Sequence, residues 1–146
     1  MNTRTATRKA HLDYSRHPKN FVNCLTYSRF PYFDIKTERK GYKSRPILII
    51  GYEKDKFPCD FNILPVSSIT NESHRDMNYD IEIPEHVLSQ ISLLNRTSYI
   101  RTHKQSTVNS ADISNNSKAV NIKDISSEFY EEVIAQHSEF TQHLFE

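Results

Sequence analysis

Arg45 in KGYKSRP (40–46), Ser67 and Ser68 in LPVSS (64–68), and Arg101 and His103 in IRTHKQ (100–105) are the side chains whose types suit a common reaction. A guanidinium presents a fixed fork of donors that matches a phosphate. Adjacent hydroxyls and backbone N–H groups hold non-bridging oxygens, and an imidazole moves a proton near neutral pH. Together they suit metal-free cleavage of RNA. The ribose 2′-hydroxyl attacks the neighbouring phosphorus, leaving a cyclic phosphate and a free 5′-hydroxyl, and positive charge stabilises the crowded phosphorane. Arg101 and His103 stand two residues apart, so on a strand they face the same way. Taken singly, each group has an ordinary explanation. An arginine before a core strand marks where it meets water, paired serines serve turns, and a lone histidine is often only half exposed. A fourth, weaker segment is the loop ITNESHR (69–75), with His74 and Arg75. No His or Cys pair has metal-ligand spacing, so neither a metal nor another cofactor is expected.

The elements that must position these groups read mainly as short strands. Alternation in PYFDIKTE (31–38) predicts a strand, followed by a loop turning at Gly41. RPILIIGYE (45–53) is a continuous branched apolar run, so it should be a central strand buried on both faces, with Pro46 at its start. DFNILPVSS (60–68), YDIEI (79–83, with one wet face) and TSYIRTH (97–103) are further strands. A short helix is expected within 19–28 and another over 84–94, opened by Pro84. Ile125, Phe129, Val133, Phe140 and Leu144 fall near one face of a C-terminal helix, which Asp124 or Ser126 caps. NSADISNNSK (109–118) is a polar, low-complexity stretch. The sum is a mainly β chain with α elements: a small antiparallel barrel, a C-terminal helix and short additional helices.

The chain has 146 residues, enough for one core. The expected division is a flexible basic arm over 1–18 and one domain over 19–146. A net charge of +1 leaves nucleic-acid binding to a local patch. Residues 1–20 hold five Arg and Lys against Asp13, and residues 121–146 hold six acids against Lys123. Cys24 and Cys59 lack CxxC spacing and read as reduced thiols of a cytoplasmic protein. No apolar run suits a membrane span or a signal peptide. With only 2 glycines, neither a Walker loop nor GxGxxG can be written.

The order of segments resembles the MazF/PemK family of toxin endoribonucleases. KGYKSRPILII resembles that family's G-x-RP followed by branched apolar residues, with Tyr42, Lys43 and Ser44 between glycine and arginine in place of a single residue. ILPVSS resembles its P-[LV]-[TS]-[TS], and SYIRTHKQ its V-x-R-x-D-Q, over about residues 31–140 in all. The resemblance implies an SH3-like barrel. It assigns Arg45 to transition-state stabilisation, Ser67 to phosphate contact, Arg101 to the general acid, and His103 to the place of an aspartate base. Lys43, Ser68, Lys104 and Gln105 would contact substrate. It also implies a homodimer with RNA in an interfacial groove and a cognate protein antitoxin with an acidic disordered segment. The alternative is a non-catalytic protein of this fold that binds RNA or inhibits a target such as DNA gyrase; replacement of the aspartate by His103 favours it.

Overall fold

The structure, a computed structural model, describes residues 14–114 and 119–146. Its centre is RPILII. Ile47 and Ile49 point to one side and Leu48 to the other, all fully buried, because alternate side chains leave opposite faces of a strand. Two apolar clusters therefore grow on the two faces. Leu48 packs with Leu25, Leu64, Val66, Ile100 and the C-terminal helix residues Phe129, Tyr130 and Val133. Ile47 and Ile49 pack with Cys59, Phe61, Ile63, Val108 and Ile113.

The strands are β1 (Cys24–Asp34), β2 (Arg39–Tyr52), β3 (Asp60–Ser67), β4 (Asp80–Glu82), β5 (Tyr99–Arg101), β6 (Ser106–Asn109) and β7 (Val120–Asn121). They pair antiparallel in the order β4-β5-β3-β2-β1-β7, and β6 pairs with β3 beside β5. One edge of β3 is thus shared: its first half faces β6 and its end faces β5. A bulge between Ile49 and Gly51 adds curvature. The result is a mainly β, curled antiparallel half-barrel, with α1 (Glu85–Leu88), α2 (Ile122–Ile125) and the long C-terminal α3 (Ser127–Leu144).

Several boundaries differ from the sequence expectation. The helix expected within 19–28 is only a 3-10 turn, Pro18–Phe21, and β1 begins at Cys24. The hairpin turn falls at 35–38, where the Asp34 carboxylate accepts the N–H groups of Lys36 and Thr37. Gly41 lies not in that turn but within β2, opposite Tyr32. A Cβ there would stand 2.8 Å from the Tyr32 ring, so this glycine permits a close cross-strand approach. The helix over 84–94 stops after Leu88, yet Ile91 beyond it is still buried in the first cluster. Residues 1–13 of the expected arm, and 115–118 of the polar stretch, lie outside the described residues. Residues 14–18 pack: the Tyr14 ring stacks on Phe57 at 4.5 Å and Pro18 is buried. Among the described residues no helix is long and apolar enough to cross a membrane.

Of the two caps considered for the C-terminal helix, Ser126 is the one used; its Oγ accepts the Phe129 N–H at 3.1 Å. Ser126→Ala should cost about 1 kcal/mol. A shift of the urea-unfolding midpoint measures this, and an unchanged midpoint would refute the cap's contribution.

Candidate functional site

Register, more than sequence distance, assembles the site. Ile47 lies opposite Pro65 on β3, and Ser67 lies opposite Tyr99 on β5. Stepping by two along each strand puts Arg45, Ser67 and Arg101 on one face of the sheet. There they line a cleft of about 340 Å³, together with Lys104 and Ser106, over a floor that includes Phe30, Ile47 and Pro65. Among the described residues no carboxylate lines it. Arg45 and Lys104 are exposed, and neither forms an ion pair among the described residues. Their charge is therefore available to an anion.

Arg101 is half spoken for. Its Nε donates to Oδ1 of Asp80 at 2.9 Å, and its Nη2 donates to Oδ2 at 3.3 Å and to the His74 carbonyl, also at 3.3 Å. The Asp80 side chain is fully buried; its Oδ2 also accepts the Asp76 N–H at 2.8 Å. A carboxylate so placed needs a paired cation. The segment YDIEI thus carries a buried acid on the face expected to be wet. This pairing fixes the guanidinium plane and leaves Nη1 without a hydrogen bond among the described residues, on a side chain that lines the cleft.

His103 does turn to the same side as Arg101, but toward Asp80, with Nδ1 3.9 Å from Oδ1. That is too long for a hydrogen bond, and Nδ1 has no hydrogen-bond partner among the described residues. The ring packs beside the touching pair Tyr79 and Phe140, at a 6.0 Å centroid separation from each, and does not line the cleft. Gln105 is also turned elsewhere: its Oε1 lies 2.6 Å from Nε2 of His137 on α3. Lys43 extends over the Tyr32 ring at 4.9 Å on the exposed hairpin. Ser68 lines a second cavity, of about 250 Å³, which also reaches Arg45 and Ser67. Four of the eight residues given catalytic or substrate-contact roles from the sequence therefore share the cleft, and a fifth adjoins it, whereas His74 and Arg75 of the weaker loop do not line it. Phe30, Ser106 and the buried partner Asp80 were not anticipated. Ser106 directly follows the IRTHKQ cluster, whereas Asp80 carried no local signal.

Burial pushes the His103 imidazole below its ordinary range, against the opposing pull of Asp80 and Asp76. Burial does the same to His137. Both rings favour the neutral form in the folded chain. Below the ordinary histidine value of about 6.5, the unfolded chain binds more protons than the folded one, so stability falls as pH falls. Asp76 acts lower: burial raises it, but the N–H groups of Tyr79 and Asn78, with His103 and Arg101, outweigh that and depress it. Urea midpoints should drop from about pH 7 to about pH 5, and His103→Gln should flatten the slope. An unaltered slope in that variant would show that His103 titrates freely.

A larger cavity, of about 750 Å³, lies between Tyr79 and α3, but Glu132, Glu139 and Glu146 line it. Those carboxylates repel phosphate, so size and charge point to different places; charge decides in favour of the smaller cleft. Among the described residues no group of three His, Cys, Asp or Glu side chains is placed to hold a metal ion. In comparisons with known proteins, the chain matches no family model and has no significant match to a characterised protein.

Proposed function

We propose that the protein is an endoribonuclease that cleaves single-stranded RNA through 2′-hydroxyl attack, without a metal. The observation that supports this is the convergence of Arg45, Ser67, Arg101 and Lys104, from three distant segments, on one cleft that no carboxylate lines among the described residues. The scissile phosphate sits between Arg45 and Arg101, with the Ser67 hydroxyl on a non-bridging oxygen. The 2′-oxygen bonds to phosphorus, the bond to the 5′-oxygen breaks, and the cationic pair offsets the added phosphorane charge. Lys104 is a better proton donor to the leaving oxygen than a guanidinium, because an ammonium gives up its proton more readily than the delocalised guanidinium does. The 2′-hydroxyl proton leaves to solvent. With this activity goes a growth-arresting toxin of MazF/PemK type, acting as a homodimer and held in check by an acidic antitoxin segment that competes with RNA for Arg45 and Lys104.

A second reading is a non-catalytic RNA binder, which the position of His103 outside the cleft favours, since no titratable base then lines the site. One experiment separates them. A long single-stranded RNA is incubated with the protein in EDTA, and the ends are mapped. Fragments with 2′,3′-cyclic phosphate and 5′-hydroxyl ends are expected. Intact RNA that is bound in a salt-sensitive way would replace the nuclease with the binder.

A further inference from the structure

We infer that a nucleoside subsite adjoins the phosphate cleft: the second cavity takes the base and sugar attached to the phosphate that Arg45 holds, with Tyr27 as its stacking wall and Asn95 as its base reader. This rests on the cleft receiving a nucleic-acid phosphate. The alternation of β1 and β2 puts Tyr27 and its partner Pro46 on the sheet face opposite the Arg45 side chain. The two cavities therefore lie on either side of the sheet and meet where β3 ends, with Arg45 and Ser67 lining both. A nucleotide whose phosphate sits at Arg45 has its base within reach of the second cavity, around that strand end.

The second cavity is built for a flat polar ring. The Tyr27 hydroxyl donates to the Leu93 carbonyl at 3.0 Å, which ties the phenol to the loop bearing Asn95 and Arg96. The same loop is pinned from beneath, where the buried Ser98 hydroxyl donates to the Arg96 carbonyl at 2.9 Å. Ring and reader are thus held in a fixed relation. The Asn95 and Arg96 side chains are exposed and make no hydrogen bond among the described residues. An amide offers a donor and an acceptor side by side, the pattern that distinguishes one base edge from another. Unstacked bases are taken up on aromatic faces in this way. At about 250 Å³ the cavity is smaller than a typical drug-sized pocket, and it suits one nucleoside rather than two.

The test titrates the full-length protein with inorganic phosphate and with the four ribonucleoside monophosphates, as 3′ and 5′ isomers. At least one nucleotide should bind about tenfold more tightly than phosphate, and the four bases should differ among themselves. Asn95→Ala should bring the four bases to within about twofold of one another. Tyr27→Leu should weaken all of them by about tenfold relative to phosphate; because Tyr27 is half buried, the exposed Asn95 variant keeps the test valid if this one fails to fold. Nucleotides that bind no more tightly than phosphate, or base differences that survive Asn95→Ala, would overturn the subsite. The nuclease is scored separately. Selective nucleotide binding without RNA cleavage would leave the subsite standing and sink the nuclease, and cleavage with equal nucleotide binding would do the reverse.

Discussion

Arg45→Ala should lower the RNA-cleavage rate by about 10²–10³-fold, the typical effect of removing one donor aimed at developing oxyanion charge. The expectation follows from where Arg45 stands. It is exposed and makes no ion pair among the described residues, while it lines the cleft beside Ser67 and Arg101. Its loss removes charge from the site and little from the fold, so the variant's melting temperature should match the parent's. Arg45→Lys keeps the charge but not the fork of donors, and should fall between the two. Ser67→Ala removes one neutral donor and should cost less than Arg45→Ala. Single-turnover cleavage of an end-labelled RNA measures all three. A parental rate in Arg45→Ala would remove the cleft from the chemistry, whatever the parent does to RNA.

Legibility in the sequence followed the kind of signal each residue carries. RPILII announced a strand buried on both faces because its run is long, branched and uninterrupted, and Ile47 and Leu48 indeed enter different clusters. The helix cap at Ser126 was readable because its partner, the Phe129 N–H, is three residues away. The polar first half of β2 was not readable, although its partner was expected as a strand from residue 31: Arg39–Ser44 alternate poorly, and pairing with the facing strand from Arg29 to Asp34 holds them extended. Residues 89–94 looked helical by spacing, but Ile91 reaches the core from irregular chain, where tertiary packing overrides local preference. In the cleft, side-chain alternation was visible in each strand, whereas the register that unites Arg45, Ser67 and Arg101 was not. His103 illustrates the gap. The spacing correctly gave it a common side with Arg101, but not the buried carboxylate from another strand that both side chains approach.

That carboxylate sets the largest expected stability effect. Asp80→Ala should destabilise the fold by about 3 kcal/mol, the low end for breaking a buried pair, because Arg101 retains about a quarter of its side-chain exposure and can recover some hydration. The Asp76 N–H also loses its acceptor. Asp80→Asn preserves the shape and one acceptor, and should cost less. Adding Arg101→Met to Asp80→Ala removes the stranded cation and should restore part of the loss, since the penalty arises from the unpaired charge rather than from the missing contact. Urea unfolding of the parent, both single variants and the double variant gives the coupling directly. A loss below about 1 kcal/mol in Asp80→Ala would mean that water already solvates the pair. The same series bears on the chemistry. If Asp80 fixes the plane from which Arg101 presents Nη1, then Asp80→Asn, assayed well below its melting temperature, should slow RNA cleavage although Arg45, Ser67 and Lys104 are untouched. Cleavage that instead follows only the folded fraction would limit Asp80 to holding the strands β4 and β5 together.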